Sequence, residues 1–297
     1  MSVYSDPSPV NQPSVTVLGT GVMGAGMARN IAASGLPTRV WNRSRGRAEA
    51  LAPAGVTVCG SVAEAVDGAE IVVTMLWDAS TVEERLREAA GSFRPGAVLL
   101  QTTTVGAGGA DRLGRVAAEL GLLYVDTPVL GTKGPAEQGT LVALASGPDD
   151  ARSTVAPVLD AIASRTLWVG AAGAGSRLKL AANAYVLSLT GAVAQSLALT
   201  RSFDLDPNLF LEAIAGGPLD SAYVGTKGRL MLSGEFSPSF TVAGALKDAE
   251  MILADVPDAG PLPDLVQVLR DRQRWVDEAG YGDEDLAAVY RSYTATS

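Results

Sequence analysis

Lys179 and Asn183 are the pair in this sequence best suited to chemistry on a small polar substrate. They stand four residues apart, so a helix places both on one face. A primary ammonium can donate a proton to an oxygen that is gaining negative charge. An amide beside it can hold the substrate or orient the lysine. A free lysine, with a pKa of ~10.4, is a reluctant donor at neutral pH, and burial or a neighbouring cation lowers it toward a useful range. The plainer reading of the same spacing is a solvated lysine beside an incidental asparagine. The chain contains no histidine and one cysteine, Cys59, which reads as a small buried residue. Ser-His-Asp and Cys-His catalysis are therefore excluded, as are His-ligated and thiol-rich metal sites, and no metal is expected. An acid–base step must run through Lys, Tyr, Asp, Glu or water. Tyr185 lies two positions past Asn183 and so points to another helix face. Tyr223 falls in an expected loop with reach into a cleft. Packing is the simpler role for both tyrosines.

A second constellation is Gly19-Thr-Gly21-Val22-Met23-Gly24. It leaves the apolar stretch Ser14-Val-Thr-Val-Leu18, expected as a buried strand, and opens a helix over Ala25 to Ser34 that Gly35 closes. Glycines at this spacing let backbone approach a pyrophosphate, whose charge is favoured at a helix N-terminus. The next strand, Thr38-Arg-Val-Trp41, runs into Asn42-Arg43-Ser44. A carboxylate at that position is the usual mark of NAD, and none is present. Arg43 can pair with a 2′-phosphate and stack on adenine, and Ser44 can donate to it, so NADPH is the favoured cofactor.

The elements that must position these residues alternate. Strands are expected at Glu70–Leu76, Ala97–Leu100, Leu122–Val125, Gly139–Ser146 and Thr166–Val169, with helices between them, Ser61 and Glu64 in capping-box register before one. Alternation predicts an α/β fold with a doubly wound, mainly parallel sheet. Ligands bind such sheets beyond the carboxyl ends of the strands. Those ends carry the glycine turn, Asn42 to Ser44, Met75 and Leu76, Thr104, and the loop Pro128 to Gly134. From Gly173 on, strand signals stop. A helix of ~28 residues is expected from an N-cap at Ser176 to Asp206, linking the sheet to an all-α second domain. The expected organisation is a disordered tail over 1–13, a Rossmann domain over 14–172 and a helical substrate and dimerisation domain over 173–297. A net charge of −9 without a basic block argues against nucleic acid. Apolar runs are interrupted before the ~20 residues a bilayer needs, so no membrane partner is expected. The N-terminus lacks the pattern of a secretory signal, and a cytoplasmic location is expected.

With these pieces placed, the chain resembles the β-hydroxyacid dehydrogenase family, which includes 3-hydroxyisobutyrate dehydrogenases and NADPH-dependent glyoxylate/succinic semialdehyde reductases. Four separated motifs carry the resemblance, in order: Gly19 to Gly24; Asp126-Thr-Pro-Val-Leu-Gly-Thr-Lys-Gly-Pro-Ala-Glu-Gln-Gly-Thr-Leu141; Gly173 through Lys179 to Asn183; and Phe240 through Lys247-Asp248. The resemblance implies an NADPH-dependent reductase of a small aldehyde or ketoacid. Lys179 would be the proton donor, above the reactive ring of the reduced cofactor, and Asn183 would position substrate or lysine. It places Gly19, Gly21, Val22, Met23, Gly24, Asn42, Arg43, Ser44, Met75, Leu76, Thr104 and Lys247 at the cofactor, and Leu130, Gly131 and Thr132 with Lys179 and Asn183 at the substrate. Leu130 stands where the family usually has a serine that helps bind a carboxylate. Backbone N–H groups at Gly131 and Thr132, the Thr132 hydroxyl or Lys133 can replace it, or the pocket takes a less polar carbonyl compound. Two alternatives remain at this point. One is an imine reductase, which shares the fold and NADPH but usually lacks the lysine. The other is an NADP-binding sensor without turnover. The family also implies a homodimer, or a tetramer.

Overall fold

The computed structural model describes residues 12–256 and 264–295. Most of the expected tail, residues 1–11, lies outside them. The chain divides into two compact units. One runs through Thr104 and resumes over Gly109–Gly175; the other joins Val105–Gly108 to the chain from Ser176 onward.

The first unit is built on six strands: β1 (Val15–Leu18), β2 (Thr38–Trp41), β3 (Thr57–Val58), β4 (Ile71–Thr74), β5 (Val98–Gln101) and β6 (Leu123–Asp126). They pair in the order β3-β2-β1-β4-β5-β6, all parallel. Helices α1 (Val22–Ala33), α2 (Arg45–Glu49), α3 (Val62–Val66), α4 (Ala79–Glu88) and α5 (Gly106–Glu119) alternate with the strands. β1, β4 and β5 are buried along their whole length, which is why they read as mainly apolar runs, with Thr16, Thr74 and Gln101 as their buried polar members. Val17, Val40, Val73 and Leu100 pack with Met27 and Ile31 of α1 in one core. Strand order reverses between β1 and β4, so the crevice beyond their carboxyl ends is the natural ligand position.

The parallel, doubly wound sheet expected from the sequence is present, but the last two expected strands sit in a smaller sheet. There β8 (Leu141–Ala145) pairs antiparallel with β7 (Val129–Leu130) and parallel with β9 (Ala163–Trp168). The stretch from Gly131 to Thr140 is shorter than the dozen or so residues a parallel crossover needs. It holds only α6 (Lys133–Gln138), a helix inside what read as a loop, whereas α7 (Arg152–Ile162) gives β9 room to return parallel. Asp126 and Ser146 exchange backbone hydrogen bonds of 2.9 and 2.8 Å, which tie the small sheet to the end of β6.

The second unit is helical, with α8 (Ala174–Ser202), α9 (Asn208–Ile214), α10 (Ala222–Ser233), α11 (Val242–Asp255), α12 (Asp264–Val276) and a short terminal α13 (Arg291–Thr294). α8 begins two residues before Ser176, which is buried in the first turn and is not the cap. It ends four residues before Asp206 without a proline. Asp204 takes a left-handed φ of 59°, and the amides of Phe203 and Leu205 close onto the Thr200 carbonyl. By length and composition α8 is apolar enough to cross a bilayer, contrary to the sequence expectation. An interior helix passes the same test, and α8 carries Ser176, Asn183 and Thr190 buried along its length.

The polar hub of this unit is Asp285. Its carboxylate accepts from Lys227 Nζ at 2.6 Å, from Ser239 N and Oγ at 3.0 and 2.8 Å, and from Ala287 N at 3.0 Å. Both members of the ion pair are buried. Burial alone would raise the Asp285 carboxyl, but the Lys227 charge, its hydrogen bond and the backbone donors outweigh that and hold it below the ordinary carboxylate value. The pair therefore stabilises the fold above the unfolded-state pKa of ~3.9, and that contribution is lost as pH falls through the lower folded value. Lys227→Met should lower unfolding stability at pH 7 by about 3–5 kcal/mol, because it leaves a buried carboxylate without its counter-charge. Urea titration of the two proteins checks this, and a loss under about 1 kcal/mol would contradict the assigned hub.

Candidate active site

In the first unit, the turn from β1 into α1 is shaped by close backbone approach. Gly19 has φ +103°, and a Cβ there would stand 2.2 Å from the Met75 carbonyl oxygen. A Cβ on Gly24 would stand 2.0 Å from the Gly19 carbonyl oxygen. These two glycines are required by the protein itself. Gly21 is different: a Cβ on it would meet nothing within 4 Å. It is the N-cap of α1, and no side chain caps the helix amides that begin at Val22 and Met23. Thr20 Oγ1 is buried and has no hydrogen-bond partner among the described residues. Open space, uncapped amides and an unsatisfied hydroxyl at one helix N-terminus fit a pyrophosphate.

Neighbouring strand ends hold that turn. Asn42 Oδ1 accepts from Thr20 N at 3.0 Å, and Asn42 Nδ2 donates to the Ser44 carbonyl at 3.0 Å. Asn42 is thus a brace between the glycine turn and the end of β2. Arg43 and Ser44 are exposed beside it, whereas Arg45 already pairs with Glu49 at 2.7 Å. Met75 and Leu76 border the turn: Met75 N donates to the Leu18 carbonyl at 2.9 Å, and Leu76 N donates to Thr103 Oγ1 at 3.0 Å. Gln101, buried at the end of β5, accepts from Thr103 N at 2.7 Å and donates to the Thr103 carbonyl at 2.9 Å. Thr104 follows, half-buried. Sequence reading missed Gln101, since a polar residue ending a strand carries no mark of burial.

Leu130 ends β7 half-buried, and Gly131 takes φ +127°, where a Cβ would press on Leu141 Cδ2 at 2.7 Å. Thr132 is the N-cap of α6, and Lys133 is its exposed first residue. Gly175, in the first turn of α8, donates its N–H to Ser146 Oγ at 2.9 Å and has no room for a Cβ, the Leu144 carbonyl oxygen being 2.2 Å away. By packing, the first compact unit extends through Gly175, three residues past the expected boundary.

In the second unit, Lys179 and Asn183 share one face of α8, one turn apart. Asn183 Nδ2 donates to Asp248 Oδ2 at 2.6 Å, and Lys247 Nζ lies 3.0 Å from Asp248 Oδ1. Both Asn183 and Asp248 are buried. Burial lowers the Lys179 pKa, the Asp248 charge raises it and Lys247 lowers it further, leaving a value of about 8. Asp248 thus bears on all three polar partners, accepting from Asn183, pairing with Lys247 and raising the Lys179 pKa. Tyr223 is on α10 and not in a loop; its hydroxyl is 2.7 Å from Thr190 Oγ1, and burial pushes its pKa up to about 12. Tyr185 is 68 % exposed, on a different face from Lys179. Cys59 is buried. Among the described residues, no cluster of His, Cys, Asp and Glu has the makings of a metal site.

Comparison with known proteins decides the family. The profile described as the NAD binding domain of 6-phosphogluconate dehydrogenase matches residues 14–170. That described as the NAD-binding domain of NADP-dependent 3-hydroxyisobutyrate dehydrogenase matches residues 173–293. The chain belongs to the β-hydroxyacid dehydrogenase family. L-threonate dehydrogenase of Cupriavidus necator is 30 % identical over 285 residues, covering 94 % of this chain and 96 % of that protein. Glyoxylate/succinic semialdehyde reductase 2 of Arabidopsis thaliana is 25 % identical, covering 95 % and 80 %. The structure of Mycobacterium tuberculosis 3-hydroxyisobutyrate dehydrogenase with L-serine superposes with a TM-score of 0.85 at 26 % identity, covering 96 % of this chain and all of that one. An imine reductase from Myxococcus stipitatus, at 22 % identity and a TM-score of 0.65 over 94 % and 99 % of the two chains, shares the fold. This β-hydroxyacid dehydrogenase is accordingly an NAD(P)-dependent oxidoreductase of small carbonyl compounds and hydroxy acids.

The different roles of the glycines give a direct test. Gly21→Ala should leave the melting temperature within about 2 °C and weaken dinucleotide binding at least about tenfold, or 1.4 kcal/mol. Gly24→Ala should lower stability and binding together. Fluorescence titration and thermal melts distinguish the two; unchanged affinity in Gly21→Ala would show that the open space is not the pyrophosphate cradle.

Proposed function

We propose that this dehydrogenase is an NADPH-dependent reductase of a small aldehyde or ketoacid, with Lys179 as its proton donor. The observation that carries the proposal is the set of polar side chains on α8 and α11, in which Lys179 combines a pKa of about 8 with a buried Asn183–Asp248 contact. Reduced nicotinamide, when bound, supplies the hydride. Lys179 gives a proton to the developing alkoxide and is left as a neutral amine that solvent recharges. Asn183, fixed by Asp248, keeps its carbonyl oxygen directed to the lysine or substrate while its amide group is held. Lys247, half-buried beside Asp248, contacts the cofactor. Leu130, Gly131 and Thr132 line the substrate side; the aliphatic Leu130 favours a compound less dependent on carboxylate recognition at that point.

The preference for NADPH rests on Arg43, exposed beyond β2 where a carboxylate would otherwise repel a 2′-phosphate. A cytoplasmic homodimer completes the proposal. Exposed apolar side chains on the helical unit, among them Leu199, Phe203, Leu205 and Leu209, support association.

Lys179→Ala should lower kcat about 100-fold or more while NADPH affinity stays within about twofold. Loss of affinity without loss of rate would overturn the assignment. In the wild-type enzyme the two directions should respond oppositely to pH. Reduction needs the ammonium, so its rate falls as pH rises through about 8; oxidation of the corresponding alcohol needs the neutral amine and rises through the same value. Initial rates with glyoxylate and succinic semialdehyde, followed by NADPH absorbance, report this; parallel profiles would rule out lysine as the titrating donor. Arg43→Ala should raise KM for NADPH about tenfold or more and leave KM for NADH nearly unchanged. Equal effects on both cofactors would contradict a phosphate role.

A further inference from the structure

α6, the short helix that follows Leu130–Thr132, is fastened to α1, the helix whose N-terminus forms the dinucleotide turn. Two contacts fasten it. A Cβ on Gly26 would stand 2.6 Å from the Ala136 carbonyl oxygen and 2.9 Å from Glu137 N, so the two helices meet backbone to backbone. Asn30, one turn further along α1, donates Nδ2 to that same Ala136 oxygen at 2.8 Å. The oxygen lies in the last turn of α6, where carbonyls have no intrahelical donor. The next amides do not supply one: Gly139 N and Thr140 N both close onto the Pro135 carbonyl. Ala136 is fully buried, so an unmet carbonyl there would be costly. At its other end α6 folds back on the substrate segment, with Pro135 Cβ 3.0 Å from the position a Cβ on Gly131 would take. A continuous line of contacts thus runs from α1 through Asn30, Ala136 and Pro135 to Gly131.

We infer that Asn30 is a positioning residue for the reaction: its amide sets the distance between the cofactor helix and the segment Leu130–Thr132. The inference rests on the reading of that segment as the substrate side of the site. Asn30 touches neither ligand. It acts by satisfying one carbonyl with a directed donor, and a packing residue of similar size cannot do the same. A misplacement on the order of 1 Å at such a segment is enough to cost a large factor in turnover efficiency.

The test is Asn30→Asp, which keeps size but presents a carboxylate to a carbonyl, with Asn30→Gln as the variant that restores a donor. Three readouts are taken on the full-length enzyme: amide hydrogen exchange over residues 129–139, the dissociation constant for NADPH, and KM and kcat for the best carbonyl substrate. Asn30→Asp should speed exchange over 129–139 and raise the carbonyl KM about tenfold or more, with NADPH affinity within about twofold of wild type. Asn30→Gln should recover at least part of the KM. Unchanged exchange, or faster exchange with an unchanged carbonyl KM, overturns the inference, as does a parallel loss of NADPH affinity. If the wild-type enzyme turns over no carbonyl compound, the functional reading fails on its own, and the exchange measurement still decides whether Asn30 holds α6.

Discussion

Removing an ammonium from water lowers its pKa and, carried far enough, leaves it neutral and useless as an acid. Lys179 sits where that opposition is balanced. Burial and Lys247 pull its pKa down, and the buried carboxylate of Asp248 holds it up, so that it settles at about 8. The same carboxylate accepts from Asn183 at 2.6 Å, which fixes the amide one turn along the helix. One carboxyl group therefore bears on both the charge of Lys179 and the orientation of Asn183. Its placement demands a rigid α11, and this is where Asp285 enters. By accepting from Ser239 and pairing with Thr241 across a short bridge, Asp285 fixes the chain just ahead of α11, whose first turn Thr241 caps.

The dinucleotide turn obeys a different constraint, steric and not electrostatic. Gly19 and Gly24 are glycine because protein backbone lies within about 2 Å of where a side chain would begin, so these positions are fixed by the fold. Gly21 is fixed by nothing in the chain itself. A glycine that packing does not need, at the start of an uncapped helix, is best explained by what approaches from outside. Glycine motifs of this kind thus mix structural and ligand-facing positions, and the coordinates separate them where the pattern alone does not.

Much of this was legible in the sequence, for physical reasons. Strands buried on both faces leave apolar runs such as Ile71–Val73, and a four-residue spacing on a helix needs no tertiary information to place Lys179 beside Asn183. Half of the capping box expected at Ser61 and Glu64 formed as its local chemistry dictates, with Glu64 N donating to Ser61 Oγ at 3.1 Å, while the Glu64 carboxylate accepts at 2.7 Å from Gly60 N, one residue before the cap. What stayed hidden depends on partners far along the chain. The separation of β7, β8 and β9 into their own sheet is decided by pairing, and a strand's own residues do not name its neighbour. The role of Asp248 needs Asn183, 65 positions away, to be in reach. The grouping of Val105–Gly108 with the helical unit depends on Asp255, whose carboxylate accepts from the amides of Ala107 and Gly108 at 2.6 and 3.2 Å. Tyr223, expected in a loop, lies on α10 with Gly225 and Gly228, whose low helix propensity works against the helix. A buried Lys227 and a hydroxyl partner at Thr190 overrode that preference.

The division between what is rigid and what is adjustable follows from these constraints. Residues assigned to hydride and proton chemistry lie on long or fully buried elements: α8, α11 and the ends of β1 and β4. Gly19, Gly24, Asn183 and Asp248 there each hold a backbone contact or a buried hydrogen bond that substitution would disturb. Leu130 is placed differently. It ends a two-residue strand, is half-buried, and is followed by a glycine and a six-residue helix. A change of its side chain removes no partner from a buried polar group, and in the function proposed above it alters the substrate side. The exchange of the family's serine for leucine is therefore a change that the fold tolerates at little cost. On that reading the reaction type can be common to the family while the residue facing the substrate varies.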